Sequence, residues 1–106
     1  MVKRTVYLPK YDNTKSEASC KAADLLRQRI IARLSQRFGG CSCYDVDGFY
    51  VMHSGTLVND KVWAIFTLTS DTEGEREFMD CVNIIKTSLN QESVLYTQEP
   101  INATFA

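Results

Sequence analysis

At 106 residues, with 44% apolar side chains and a net charge of −1, the chain is sized for one globular domain around one core. The composition excludes wholesale disorder, a membrane span of roughly 20 apolar residues, and the large Lys and Arg excess on which general DNA binding rests. The charge is uneven: residues 1–40 carry nine basic and three acidic side chains, residues 41–106 three and ten, so the two halves are electrostatic complements.

In chain order, residues 2–8 are β-prone and stop at Pro9. After a polar loop, Thr14 and Glu17 fit a capping box, which predicts a helix running to Phe38. Ala23, Leu26, Ile30 and Leu34 give it an apolar stripe at helical spacing, and Gly39-Gly40 ends it. Cys41 to Val46 predicts a short strand, Asp47-Gly48 a turn, and Phe49 to His53 a further strand before a Ser54-Gly55 turn. Leu57 to Thr69 predicts a central strand covered on both faces, with an irregularity at Asn59-Asp60. Ser70, Asp71 and Thr72 are N-cap candidates for a second helix, Thr72 and Glu75 forming another capping box. Phe78, Val82, Ile85 and Leu89 form its buried stripe, and Val94 to Gln98 is the last strand.

This order predicts an α+β fold: a ferredoxin-like βαββαβ two-layer sandwich, with two helices on one face of an antiparallel sheet. Residues 1–100 form a single domain and 101–106 a short C-terminal tail. The face away from the helices is expected to carry Thr5, Tyr7, Trp63, Ile65 and Tyr96, together with Tyr50 or Met52. So much aromatic surface predicts an interface, first of all with a second copy in a homodimer.

Candidate site residues fall into two groups. Arg29, Arg33 and Arg37 recur every four residues and form a basic ridge; they either contact phosphate or pair with Glu75, Glu77 or Asp80 of the second helix. Trp63, Tyr50 and Tyr96 offer stacking surfaces, and Gln91, in the turn before the last strand, offers a polar contact beside them. His53, the sole histidine, lies near a strand end and reads as a surface residue, a general base or a phosphate contact. Cys41 and Cys43 face one side of a strand, yet zinc sites more often use two intervening residues and an identifiable fourth ligand, so no metal site and no cofactor is expected. Gly39-Gly40-Cys41-Ser42-Cys43 follows a helix C-terminus, the wrong end of the dipole for a phosphate loop. No catalytic constellation emerges, which leans away from an enzyme. Four cysteines without a secretion signal point to reduced thiols and a cytoplasmic location.

Through Gly39-Gly40-Cys41-Ser42, Gly48-Phe49-Tyr50, Asp60 before an apolar strand, and Gln91-Glu92-Ser93-Val94, the chain resembles certain small uncharacterised proteins of bacteriophages and mobile elements, over roughly residues 26–97. They share a Gly-Gly turn and a closing Gln-Glu-x-Val ahead of the final strand. The resemblance implies a phage origin and a role in the host cytoplasm, such as inhibiting a host defence protein or complex. The first functional expectation is therefore a non-catalytic interaction protein. The alternatives are a nucleotide-binding or sequestering protein and a single-stranded nucleic-acid-binding module.

Overall fold

The computed structural model describes residues 1–11, 15–70 and 72–106. The elements run β1 (Val2–Pro9), α1 (Glu17–Phe38), β2 (Ser42–Val51), β3 (Leu57–Thr69), α2 (Glu75–Ser88) and β4 (Tyr96–Pro100). The four strands form one antiparallel sheet in the order β2-β3-β1-β4. Both helices pack on one face of it, which is the ferredoxin-like arrangement that the order of hydrophobic patterns predicts.

Both helical stripes are buried as expected. Ala23, Leu26, Ile30 and Leu34 meet Phe78, Val82, Ile85 and Leu89 above Val6, Leu8 and Ile65. Full burial of each large apolar side chain contributes ~1.5–3 kcal/mol, so this one cluster carries most of the fold's driving force. Gly39 stops α1 in the left-handed conformation (φ 87°), and its N–H returns to Ser35 O at 2.8 Å.

Several local expectations are corrected. Thr14 and Asp71 lie outside the described residues; the N-cap of α1 is Ser16, whose Oγ accepts from Ser19 N at 3.0 Å. The Thr72–Glu75 capping box does not form. Gly74 is the N-cap of α2, and the hydroxyl of Ser70 accepts from Glu73 N instead. Asp47-Gly48 is not a turn. β2 runs through it without a break, pairing Asp47 with Lys61 and Gly48 with Asp60. The register with β3 is regular along the whole ladder, so Asn59-Asp60 holds no irregularity. The cross-strand ion pair between Lys61 Nζ and Asp47 Oδ1 accounts for both departures, because it gives the polar stretch a reason to stay extended. The turn falls only at Met52–Thr56, where Met52 N donates to Thr56 O. β4 begins at Tyr96, two residues later than expected.

Register also corrects the assignment of faces. Trp63 and Ile65 sit opposite Leu8 and Val6, on the helix side, and Tyr96 opposite Val6 does too. Tyr96 meets the core residue Phe78 edge to face, with ring centroids 6.2 Å apart. The open face carries Thr5, Tyr7 and Tyr50, as expected, and in addition Tyr44, Val62 and Phe66. It is still aromatic, but with different rings.

Gly74 is the most tightly enclosed of the glycines. At φ 96°, a Cβ there would lie 2.8 Å from Phe38 Cε1 and 3.0 Å from Thr69 Cγ2. Gly74→Ala should therefore lose about 2 kcal/mol of stability, from backbone strain and from the forced shift of Phe38 together. Urea unfolding followed by circular dichroism measures this; an unchanged midpoint would contradict the packing described.

Candidate functional site

β2 and β3 are longer than β1. Beyond the Pro9–Val62 pair and one further bond from Lys10 N to Lys61 O, β3 is paired by β2 alone, and the two strands continue as an arm. At the base of this arm β1 ends, α1 approaches and the α2–β4 turn comes down, so several connections converge there. Pro9, Tyr11, Lys15, Tyr50, Asp60 and Gln91 line a cleft of about 190 Å³.

Tyr50 and Asp60 are diagonal neighbours on one face of the β2–β3 ladder, since Tyr50 pairs with Val58 and Asp60 with Gly48. The charge on Asp60 is the main cause that raises the Tyr50 phenol above its ordinary range; partial burial and a hydrogen bond to the Asp60 side chain add to it. The carboxylate thus favours the protonated phenol. Tyr11 closes another side, its hydroxyl accepting from Lys61 N at 3.4 Å. The Lys15 ammonium lies 5.3 Å from the centroid of the Tyr11 ring, so one cation already rests on an aromatic face here. The Lys61 ammonium is held by Asp47 and points its charge away from service as a free donor. Gln91 Nε2 donates to Leu89 O at 3.1 Å, which leaves its carbonyl oxygen and its second amide N–H as groups it can offer the cleft.

Of the residues singled out from sequence, the structure brings Tyr50 and Gln91 together here and disperses the rest. Trp63 is no stacking platform. Its ring lies on the helix side with Arg27 Cζ 4.9 Å and Lys10 Nζ 5.3 Å from its centroid, and Lys10 in turn binds Asp45 at 2.7 Å. Tyr96 is spent on Phe78. Arg37 clamps the helices together through Glu77, with Nε donating at 3.0 Å, which is the pairing alternative stated above. The Glu77 carboxyl is held below the usual range, first by a backbone N–H at the start of α2 and then by Arg37. Arg33 reaches Asp80 at 3.9 Å, and Arg29 and Arg33 together line a shallow groove between the helices with Asn83 and Thr87. His53 is in the exposed turn at the arm's tip, at the opposite end of β2 from Cys43.

Among the described residues, no group of three His, Cys, Asp or Glu side chains is placed to hold a metal ion. The cysteines are free thiols. Burial pushes the Cys43 and Cys81 thiols up, so neither is poised as a thiolate nucleophile.

Sequence reasoning missed Asp60, Tyr11 and Lys15 as site residues. Asp60 did carry a signal: it shares the parity of Val58, Val62 and Ala64, so a carboxylate stands on an otherwise apolar sheet face. Reading it as a strand irregularity concealed that.

No protein-family model matches the chain, and no curated protein sequence does. Solved structures do share its fold. The periplasmic divalent cation tolerance protein CutA from Archaeoglobus fulgidus matches with a TM-score of 0.59 at 12% identity, over 99% of this chain and 88% of that one. CutA1 from Pyrococcus horikoshii matches with a TM-score of 0.57 at 11% identity, covering 99% and 87%. A phage SAM lyase in complex with S-methyl-5'-thioadenosine matches with a TM-score of 0.58 at 19% identity, covering 92% and 79%. At these identities the likeness establishes the fold.

The coupling of Tyr50 to Asp60 is directly testable. Asp60→Asn removes the negative charge that disfavours the phenolate, so Tyr50 should titrate at lower pH in the variant. NMR titration with ring-labelled tyrosine reads this; an unmoved Tyr50 transition would contradict the pairing.

Proposed function

We propose that the chain is a small-ligand-binding protein whose ligand is an adenosine derivative carrying a thioether or sulfonium group, such as S-methyl-5'-thioadenosine or S-adenosylmethionine. The observation that carries this reading is the Tyr50–Asp60 pair, with Tyr11 beside it, at the base of the arm. A carboxylate accepts hydrogen bonds from ribose hydroxyls, and aromatic rings take either a stacked base or a cation. Lys15 on Tyr11 marks where such a cation would sit. The shared fold with a phage SAM lyase in complex with S-methyl-5'-thioadenosine supports the choice of ligand class.

Size adds a requirement. About 190 Å³ is less than the roughly 300 Å³ at which small-molecule sites begin. A nucleoside held by this cleft alone would stay half in water. We therefore propose that a second copy of the chain completes the site. The arm offers the surface: on the cleft's own face Tyr50 is 50% and Tyr44 46% exposed, and a two-stranded arm without further cover is marginally stable. The same exposed arm favours the second reading, a non-catalytic protein that binds a host protein through it. No nucleic-acid platform is proposed on Trp63, whose ring already has Arg27 and Lys10 over it.

Isothermal titration with S-methyl-5'-thioadenosine, S-adenosylmethionine and adenosine monophosphate separates the readings. Saturable binding of the first two, weakened at least about tenfold (~1.4 kcal/mol) by Asp60→Asn or Tyr50→Ala in folded protein, is the expected result. Absence of binding to all three at millimolar concentration, in a chain that light scattering shows to be self-associated, would overturn the ligand reading and favour the partner-binding one. Chromatography of the S-adenosylmethionine mixture reads whether any chemistry accompanies binding.

A further inference from the structure

The end of the molecule where α1 stops and β1 begins carries an apolar recess of about 430 Å³. Met1, Phe38, Cys41, Phe66 and Leu68 contribute its walls, and Phe105 of the C-terminal tail stands at its rim. The polar groups nearby are already engaged. Thr67 Oγ1 donates to Gly40 O at 2.8 Å, and the Cys41 thiol lies 3.3 Å from Ser35 Oγ and 3.6 Å from Ile31 O. Nothing in this recess asks for a charged or strongly polar occupant.

Phe105 is 79% exposed, more than any other large hydrophobic side chain among the described residues. Its ring and the recess are thus two apolar surfaces, side by side and both in water. Hydration is unfavourable for both, and one movement would remove both from solvent. The tail is built to allow that movement. Ile101 N donates to Met1 O at 3.0 Å, one step beyond the last β1–β4 pair, and fixes the tail's origin at the edge of the recess. From Asn102 onward the chain has no regular secondary structure. Phe105 lies four residue steps beyond Ile101, a reach of at most ~14 Å when extended, enough to carry the ring across a recess whose wall the tail already forms.

We propose that residues 102–106 form a strap and that Phe105 is its plug, folding into the recess between Phe38, Phe66 and Leu68. The recess is then a gated apolar site: a flat apolar molecule enters only by displacing Phe105. This inference is independent of the Tyr50 cleft, which lies at the other end of β3.

A single-tryptophan form tests it. In the Trp63→Phe, Phe105→Trp double variant, the introduced indole should emit at shorter wavelength than in urea-unfolded protein, and acrylamide should quench it several-fold less. Emission and quenching equal to those in urea would overturn the proposal. Should Trp63→Phe prevent folding, Phe105→Ala alone decides. Increased fluorescence of 1-anilinonaphthalene-8-sulfonate over the parent protein supports the plug, and unchanged fluorescence overturns it.

Discussion

The pairing of Val6 with Ile65, at the middle of the two central strands, is the contact on which the rest of the molecule depends. Both side chains are fully buried beneath the helices. Because strand side chains alternate, this one pair fixes the side taken by every other residue of β1 and β3, and through the β2–β3 ladder by every residue of β2. A slip of one residue would carry Leu8, Val6 and Ile65 into water and bring Thr5, Tyr7 and Ala64 under the helices. The core would then lose the side chains that Ile30, Leu34 and Phe78 are shaped to meet.

The consequences reach the candidate site directly. With Ile65 inward, Asp60 and Tyr50 must both be outward, and Trp63 must be inward. The tryptophan is held between Arg27 and Lys10, and these cations also satisfy Asp24 and Asp45. That network closes the helix–sheet seam near the β2 edge with charged groups that keep their heads in water. The open face, lacking helices, keeps its aromatic rings available. A sheet divided in this way separates the residues that hold the fold from those free to bind.

Much of the fold was legible in the sequence because helices announce themselves locally. Leu26, Ile30 and Leu34 needed only their own spacing and the stop at Gly39 to be placed correctly. The hairpin was less legible, since Asp47-Gly48 has the chemistry of a tight turn. What keeps it extended is Lys61, fourteen residues away, which no local pattern reveals. The faces were misread for a related reason. Both parities of residues 62–69 are apolar or β-branched, so alternation alone did not say which set meets the helices. Of the site, Tyr50 and Gln91 were visible as an exposed ring and a polar turn residue. Asp60 became visible only when the register set it beside Tyr50, and the arginine ridge proved to be in part a helix–helix clamp once Glu77 and Asp80 were placed against it.

The measurement that bears most directly on this account is the register of the arm in solution. Backbone nuclear Overhauser contacts should connect Gly48 with Asp60 and Val46 with Val62, placing Tyr50 and Asp60 on one face. Contacts linking Val46 to Phe49 instead, the mark of a tight turn at Asp47-Gly48, would dismantle the arm, its cleft and the reading built on them.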